Sequence, residues 1–473
     1  MSKFTTDTVI GLEIHVELDT DTKLFCGCPT AAEEPNSACC ETCLGMPGSK
    51  PVLNKKAVEY ALRLCLALNC KINPSLIFSR KTYFYPDMAK NYQITQYEEP
   101  LGKWGSLPLD EKTSIGITRV HIEEDPAALV HPGSMQSSPF VLVDYNRSGR
   151  PLCEVVTEPE MTSPEQARDF MRRLITILNY LEIFDQQHCI IKADANISIK
   201  DSGYTRVEVK NITGFKEIER ALQYEIKRQR DAVKSKEKII FETRAWDAEQ
   251  GMTFSLRSKE SEEDYGYILD PDLVPIDITQ EMIAHTRKNM PELAHDRIKR
   301  YISQHKIPEI DAKVIAEERK LAELFEKVAE EIDPVLAAQW LRRELVRVMN
   351  YTQTSFEQLK IDETHLIELL GMVEKREITD AVGKKLMEKL IEAGDKPFSP
   401  REHVKREGLG VVSDTAAIEK LCAEAIAENA QAVKEFREGN EKSFNYIVGQ
   451  VMKKSRGKAA PKEVNEILKG MLE

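Results

Sequence analysis

The sequence predicts an α+β fold: a sheet-rich N-terminal domain, then an all-helical domain, then a small helical tail. Three observations carry this reading. Residues 9–18 (VIGLEIHVEL) alternate apolar and polar, the period of a strand with one covered face. The same alternation returns in Ile117–Asp125, Lys192–Lys200 and Arg206–Asn211. From Asp296 the period becomes helical, with faces rich in Glu, Lys and Arg. The segment Lys396–Pro400 (KPFSP) reads as a linker, so the expected domains are 1–295, 296–400 and 401–473. A chain of 473 residues exceeds what one core organises.

In the first strand Glu13, His15 and Glu17 fall on one face, about 6.5–7 Å apart in sequence along it. Such a face is either solvated, or two carboxylates and an imidazole converge on a cation or phosphate. The strand alone leaves both open. Next come Cys26-x-Cys28 and Cys40-x-x-Cys43, separated by a loop rich in Pro, Asn and Ser. Two such pairs suit a tetrahedral structural zinc, since soft thiolates satisfy that geometry and leave no open position. Cys39 is a competing thiol, and a redox Cys-x-x-Cys is the alternative. Cys65, Cys70, Cys153, Cys189 and Cys422 are scattered and expected to fill cores.

An amphipathic helix is expected over Asn54–Leu68. Ser79–Tyr97 then holds four tyrosines with Arg80, Lys81, Asp87 and Lys90. Aromatics interleaved with cations suit base stacking and phosphate contact, or else are half-buried core tyrosines. The second strand ends in Glu123, Glu124 and Asp125, which repel one another unless solvated or neutralised by a cation. Asp144–Arg150 reads as a turn with two arginines. Ser163-Pro-Glu-Gln166 is a strong helix start, a serine cap with proline in the first position. The strands at 192–200 and 206–211 form a hairpin around Asp201-Ser-Gly203, one face carrying both charge signs. A long helix follows over Phe215–Lys234. Three such polar faces in one region look like the floor of a cleft that handles phosphate and metal.

Composition narrows the class. Hydrophobic residues make up 41% and charged residues 30%, and the net charge is −12. That charge argues against a chain coated in nucleic acid but permits a local basic patch. No apolar run approaches the ~18 residues of a membrane span, and the N-terminal residues lack a signal peptide's apolar core. A cytoplasmic protein with reduced cysteines and no membrane partner is expected.

The segments VIGLEIHVEL, Cys-x-Cys…Cys-x-x-CLGMPG, SRKTYFYPD…YQITQY, GITRVHIEEDP, DYNRSGRPLCEVVTEPEM, DANISI and RVEVKNI occur in that order. Together they closely resemble the GatB/GatE family, the B-type subunits of tRNA-dependent amidotransferases. The resemblance spans essentially the whole chain. The large domain that GatE subunits insert after Pro275 has no room here, since only some 20 residues separate it from the helical region. The resemblance implies a cradle-like catalytic domain acting on tRNA misacylated with glutamate or aspartate. ATP phosphorylates the side-chain carboxyl and ammonia displaces the phosphate, a transfer that needs Mg²⁺ and positive groups to offset developing charge.

It also implies roles. Glu13, His15, Glu124 and Glu208, with Glu123 less firmly, are candidates for the Mg²⁺ shell, although imidazole is atypical for a hard cation. Lys81 joins them as a catalytic candidate. Tyr83, Asp194, Asn196, Lys210 and Asn211 are candidates for holding ATP or the aminoacyl end. The chain has no G-x-x-x-x-G-K-[ST] loop and no amidase signature, so ammonia must come from a partner. In this family that partner is the amidase GatA, with small GatC bracing a heterotrimer. One departure stands out: where related sequences read roughly DYRYFxEPDL, this chain has Gly266 and Asp270 in place of the arginine and the acid before proline.

Near the end, Lys453, Lys454, Arg456, Lys458 and Lys462 follow one another without an acid, a local attraction for phosphates. Resemblance makes this tail a contact for the tRNA body, read by shape. Two rivals are a non-catalytic zinc-bearing RNA-binding module and a free-standing ATP-dependent carboxylate–amine ligase. The first predicts tRNA binding without ATP turnover. The basic tail and the missing ammonia source speak against the second.

Overall fold

A computed structural model describes residues 4–132, 138–258, 265–356, 358–394, 396, 398–411, 415–437, 440–455, 459 and 461–472. It divides into two compact units, Met1–Leu293 and Ala294–Glu473.

The first unit is built on β1 (Thr8–Glu17). After it come α1 (Lys55–Ala67), β2 (Lys71–Ile72), β3 (Ser75–Leu76), β4 (Ser79–Thr82), β5 (Tyr92–Thr95), β6 (Gly102–Pro108) and β7 (Ser114–Glu124). Then follow β8 (Ala128–Val130), β9 (Leu142–Asp144), β10 (Pro151–Thr157), α2 (Pro164–Leu181), β11 (Ile191–Ile199), β12 (Val207–Thr213) and α3 (Phe215–Lys234). The unit closes with β13 (Glu242–Asp247), β14 (Met252–Ser258), β15 (Gly266–Leu269), β16 (Ile276–Asp277) and α4 (Gln280–Lys288). Nine strands make one sheet in the order β14-β13-β12-β11-β1-β10-β7-β6-β2, and β1 lies at its centre. All neighbours are antiparallel except β12 and β13.

The expected starts of α1 and α2 hold because each has a side chain to satisfy orphan N–H groups. Asn54 Oδ1 accepts from Lys56 N and Ala57 N at α1, and Ser163 Oγ accepts from Gln166 N at α2. Ile10, Leu12, Ile14 and Val16 of β1 join Leu64 of α1, Phe170 and Leu174 of α2, and Leu222 of α3 in one core. Each such side chain contributes about 1.5–3 kcal/mol by leaving water. Helices therefore cover one face of the sheet. The opposite face is not the open surface that alternation alone allows: Glu17, His121, Glu123, Glu154 and Glu208 on it are all buried.

The second unit is helical from Ala294–His305 to Pro461–Leu472 and holds two separate cores. One runs from Tyr301 to Val404 and the other from Ile418 to Leu472. The helix Pro400–Glu407, capped by Ser399, sends Val404 into the first of these. Among the described residues no helix is long and apolar enough to cross a membrane.

Candidate functional site

Strand register assembles the polar face in rows. His15 lies opposite Glu154 on β10 and Lys192 on β11, and Glu154 lies opposite His121 on β7. The next row aligns Glu13 with Asp194, and the one beyond sets Asn196 beside Glu208. On the other side, Leu152 stands between Glu17 and Glu123. Residues that are neighbours across strands on one face have side chains in reach. His15 Nε2 is 3.7 Å from Glu123 and 3.6 Å from Glu154, and His121 Nε2 is 3.3 Å from Glu154. His15, Glu123 and Glu154 each offer a ligand atom within 4.8 Å of the others.

Cations border this acidic centre. Lys210 pairs with Asp194 at 2.6 Å and Glu208 at 3.3 Å, and Asn196 donates to Glu13 Oε1 at 2.8 Å. Glu208 also accepts from the Thr243 hydroxyl. Among the described residues, the Oδ1 of Asn196 is buried without a hydrogen-bond partner, as is Nδ1 of His121. Burial and the charge of Glu154 push the Glu13 carboxyl above the usual carboxylate range. For His15, burial alone would lower the pKa, but Glu154 and Glu123 outweigh it and raise it. Glu123 moves the other way: burial opposes ionisation, yet the neighbouring His121 and His15 imidazoles and Lys81 bring it down to about 2. Asp125 is pushed up to about 6 by burial, against the pull of Arg147.

The tyrosine-rich stretch supplies the rim. Tyr83 and Tyr265 meet edge to face at 5.6 Å, with the Lys81 ammonium 4.8 Å from the Tyr265 ring. The Lys81 charge acts on Glu123, and Tyr83 is pushed up by burial and by Asp87 and Glu123. Gly266 pairs with Thr82, and a side chain there would meet only the Thr82 Cβ, at 3.6 Å. A Cβ is therefore accommodated at this exposed position. Asp270 is engaged by Arg80 at 2.8 Å. Asn211 sits on β12 with φ of 64° and its side chain exposed.

Not every expected residue joins the centre. Glu124 lies on the other side of the β7 pleat from Glu123. Its carboxylate pairs with buried Lys90 and accepts from Ile94 N at 2.8 Å. Sequence reasoning missed Glu154 and His121. His121 was detectable, since Arg119, His121 and Glu123 share the period-two face. Glu154 was hidden because its same-face neighbours on β10, Leu152 and Val156, are apolar.

The four cysteines converge as their spacing predicts: the Sγ atoms of Cys26, Cys28, Cys40 and Cys43 lie within 4.8 Å of one another and can hold a metal ion such as zinc. All ten cysteines are free, and Cys39 stays outside the group, 3.8 Å from Asn146 Oδ1. Cys65, Cys70, Cys153 and Cys422 are buried, whereas Cys189 is half-exposed. Gly45 closes the knuckle at φ 67°, where a Cβ would stand 2.3 Å from Lys90 Cγ. The donor set fits a soft tetrahedral cation; the His15, Glu123 and Glu154 set, mostly oxygen, fits a harder one.

In the tail, Lys453 is exposed at the end of the helix Glu441–Lys454. Lys454 is engaged by Glu428 at 2.6 Å and Glu424 at 3.7 Å. Arg456 and Lys458 lie outside the described residues.

Comparison with known proteins places the chain in a family. A family model for the GatB/GatE catalytic domain matches residues 8–284, and one for the GatB domain matches 323–472. The chain is 40% identical over 477 residues to the B subunit of the aspartyl/glutamyl-tRNA(Asn/Gln) amidotransferase of Carboxydothermus hydrogenoformans, covering 98% of each chain. It is 41% identical to the protein of the same name from Caldanaerobacter subterraneus subsp. tengcongensis, again over 98% of each. With that of Methanospirillum hungatei it shares 43% over 476 residues, 99% of this chain and 98% of the other. Matches of this length, with both catalytic-domain and GatB-domain models satisfied, establish that the chain belongs to the GatB/GatE family.

Proposed function

We propose that this chain is the B subunit of an aspartyl/glutamyl-tRNA(Asn/Gln) amidotransferase, a cytoplasmic carbon–nitrogen ligase working with the amidase GatA and with GatC. Its substrate is tRNA carrying glutamate or aspartate. The side-chain carboxylate oxygen attacks the γ-phosphorus of ATP, giving an acyl phosphate and ADP. Ammonia from the amidase then attacks the carbonyl carbon, phosphate leaves, and the nitrogen loses a proton to yield the amide.

The observation that carries this reading is the convergence of His15, Glu123 and Glu154 on one sheet face that also carries Lys210, with Lys81 at its rim. A Mg²⁺ held there, with Glu13 next to it, would neutralise charge on the transferring phosphoryl group. Lys81 and Lys210 supply further positive charge, and His15 serves as a neighbour that orients an oxygen ligand. The unpaired Asn196 Oδ1, with Asp194, Tyr83 and Asn211, would hold the nucleotide or the aminoacyl end. Glu208 steadies Lys210, and Glu124 acts through Lys90. Zinc in the four-cysteine knuckle is structural. Lys453, Arg456 and Lys458 contact the tRNA body, while Lys454 is held by Glu424 and Glu428.

The test reconstitutes the chain with its amidase partner, glutamyl-tRNA, labelled ATP and ammonium. Gln-tRNA formation and ADP release should depend on tRNA in wild type and fall at least about 100-fold in Glu154→Gln. Bound tRNA with no ADP in either protein would leave a binding module. Turnover undiminished in Glu154→Gln would keep the reaction and discard this cation site.

A further inference from the structure

The knuckle and the acidic face are joined by one turn, residues 144–150, whose hydrogen bonds the chemistry of neither site requires. Toward the knuckle, Asn146 Oδ1 accepts from Ala38 N at 2.8 Å and its Nδ2 donates to Glu34 O at 2.7 Å. Ser148 Oγ donates to Cys43 O, and Asp144 accepts from Asn36 N. Toward the acidic face, Arg147 pairs with Asp125 at 2.8 Å and Arg150 with Glu17 at 2.5 Å. Gly149 N donates to Asp125 O at 2.8 Å. Arg150 is followed at once by β10, which carries Glu154.

Beneath the turn lies Lys23, 0% exposed. Its ammonium donates to Ala38 O at 2.8 Å, in the knuckle loop, and to Tyr145 O at 3.1 Å, in the turn. Both partners are neutral carbonyls. An ammonium removed from water is costly unless a negative charge compensates it. Cys43 is the neighbour able to supply one: a Cβ built on Gly149 would meet Lys23 Cδ at 3.5 Å and Cys43 Cβ at 3.7 Å. A divalent ion bound by four thiolates leaves a net negative charge at that place.

We infer that Lys23 and Asn146 are positioning residues that couple metal occupancy of the knuckle to the geometry of the acidic face. The metal–thiolate group is the counter-charge of Lys23. Lys23 and Asn146 then hold the turn so that Arg147 reaches Asp125 and Arg150 reaches Glu17, at the edge of the row that contains Glu123. The inference rests on the zinc and cation readings above.

The experiment compares the zinc-loaded complex with the same complex stripped by a chelator and reloaded. Hydrogen exchange should quicken on stripping in residues 144–157 and 117–126, not only in 24–46, and recover with zinc. The half-saturating Mg²⁺ for amidation should rise about ten-fold, while the rate at saturating Mg²⁺ stays within about two-fold. Zinc-loaded Asn146→Ala should reproduce the Mg²⁺ effect with its zinc retained. Lys23→Met should release zinc at least about ten-fold faster to a competing chelator. A merely structural role would lower the rate by one factor at every Mg²⁺ concentration, and that result overturns the inference. So does zinc-bearing protein whose stripping leaves 144–157 and the Mg²⁺ requirement unchanged, which leaves the zinc reading intact. Protein that neither contains nor takes up zinc overturns both. If Asn146→Ala does not fold, the strip-and-reload comparison of wild type decides alone.

Discussion

The cysteine knuckle and the acidic face both gather metal-binding groups, but they balance charge by different means. In the knuckle the four thiols crowd together: the Cys43 sulfur and burial push Cys26 up, and burial pushes Cys28 up, so gathering the full set of thiolates needs a cation. The acidic face already has its counter-charges in protein: Lys210, Arg119, Arg150 and the His15 imidazole, whose pKa is raised. As proposed, the knuckle would be incomplete as a folded element without its ion, whereas the face would be a finished structure that an ion enters. Removing a ligand should cost stability in the first and chemistry in the second.

The largest effect that tests this contrast is Cys40→Ser or Cys43→Ser. Structural zinc supplies folding free energy on the order of 10 kcal/mol in small zinc modules. Either variant should lose stoichiometric zinc and unfold at markedly lower temperature, read by metal content and calorimetry. Fully stable wild type without metal would erase the contrast.

Next comes a pair of variants on adjacent residues of β7. Glu123→Gln keeps the shape of the side chain but removes a candidate ligand of the face, and should abolish turnover with a smaller loss of stability than the next variant. Glu124→Ala strips the partner from buried Lys90 and should cost about 3–5 kcal/mol of stability. Equal thermal losses in both would show that the two sides of this strand are not separate in role.

A pH titration sharpens the same point. His15 is raised, so the folded chain holds its proton more tightly than the unfolded chain does. Without a divalent ion, its stabilisation is fully present below the ordinary value of 6.5 and is lost as pH rises through the raised one. Cation binding has the opposite sign, because the protonated ring repels the ion. Mn²⁺ affinity should thus rise with pH, with a midpoint above 6.5 that disappears in His15→Gln, as measured by calorimetry.

How much of each site could be read in the chain follows from its assembly. The knuckle occupies residues 26–43, and spacing alone named all four of its thiols. The face joins β1, β7 and β10, so period-two alternation gave candidates strand by strand but not the register that selects among them. That is why the sequence puts Glu124 ahead of adjacent Glu123, the reverse of the order the register gives, and why Glu154, between two apolar neighbours on its face, goes unnamed. The helices α1, α2 and α3 were legible to within a residue or two, because their caps and periodicity are local. The same limit applies to Lys454: nothing in the basic run reveals that Glu424 and Glu428, a helix away, claim it.

That claim makes the smallest prediction a contrast between neighbours. A lysine that neutralises a phosphate releases counterions, and its loss lowers the salt slope of binding by about one. A lysine already paired with carboxylates must give them up first, and the exchange yields little. Lys453→Ala should therefore weaken tRNA binding several-fold at low salt, uniformly across tRNA sequences, and flatten the salt dependence. Lys454→Ala should change affinity about two-fold or less. Binding isotherms at several salt concentrations separate the two. If Lys454 proved the stronger contact, the tail would have to break its pairs with Glu424 and Glu428 on meeting tRNA. The double variant Glu424→Gln/Glu428→Gln would then tighten binding.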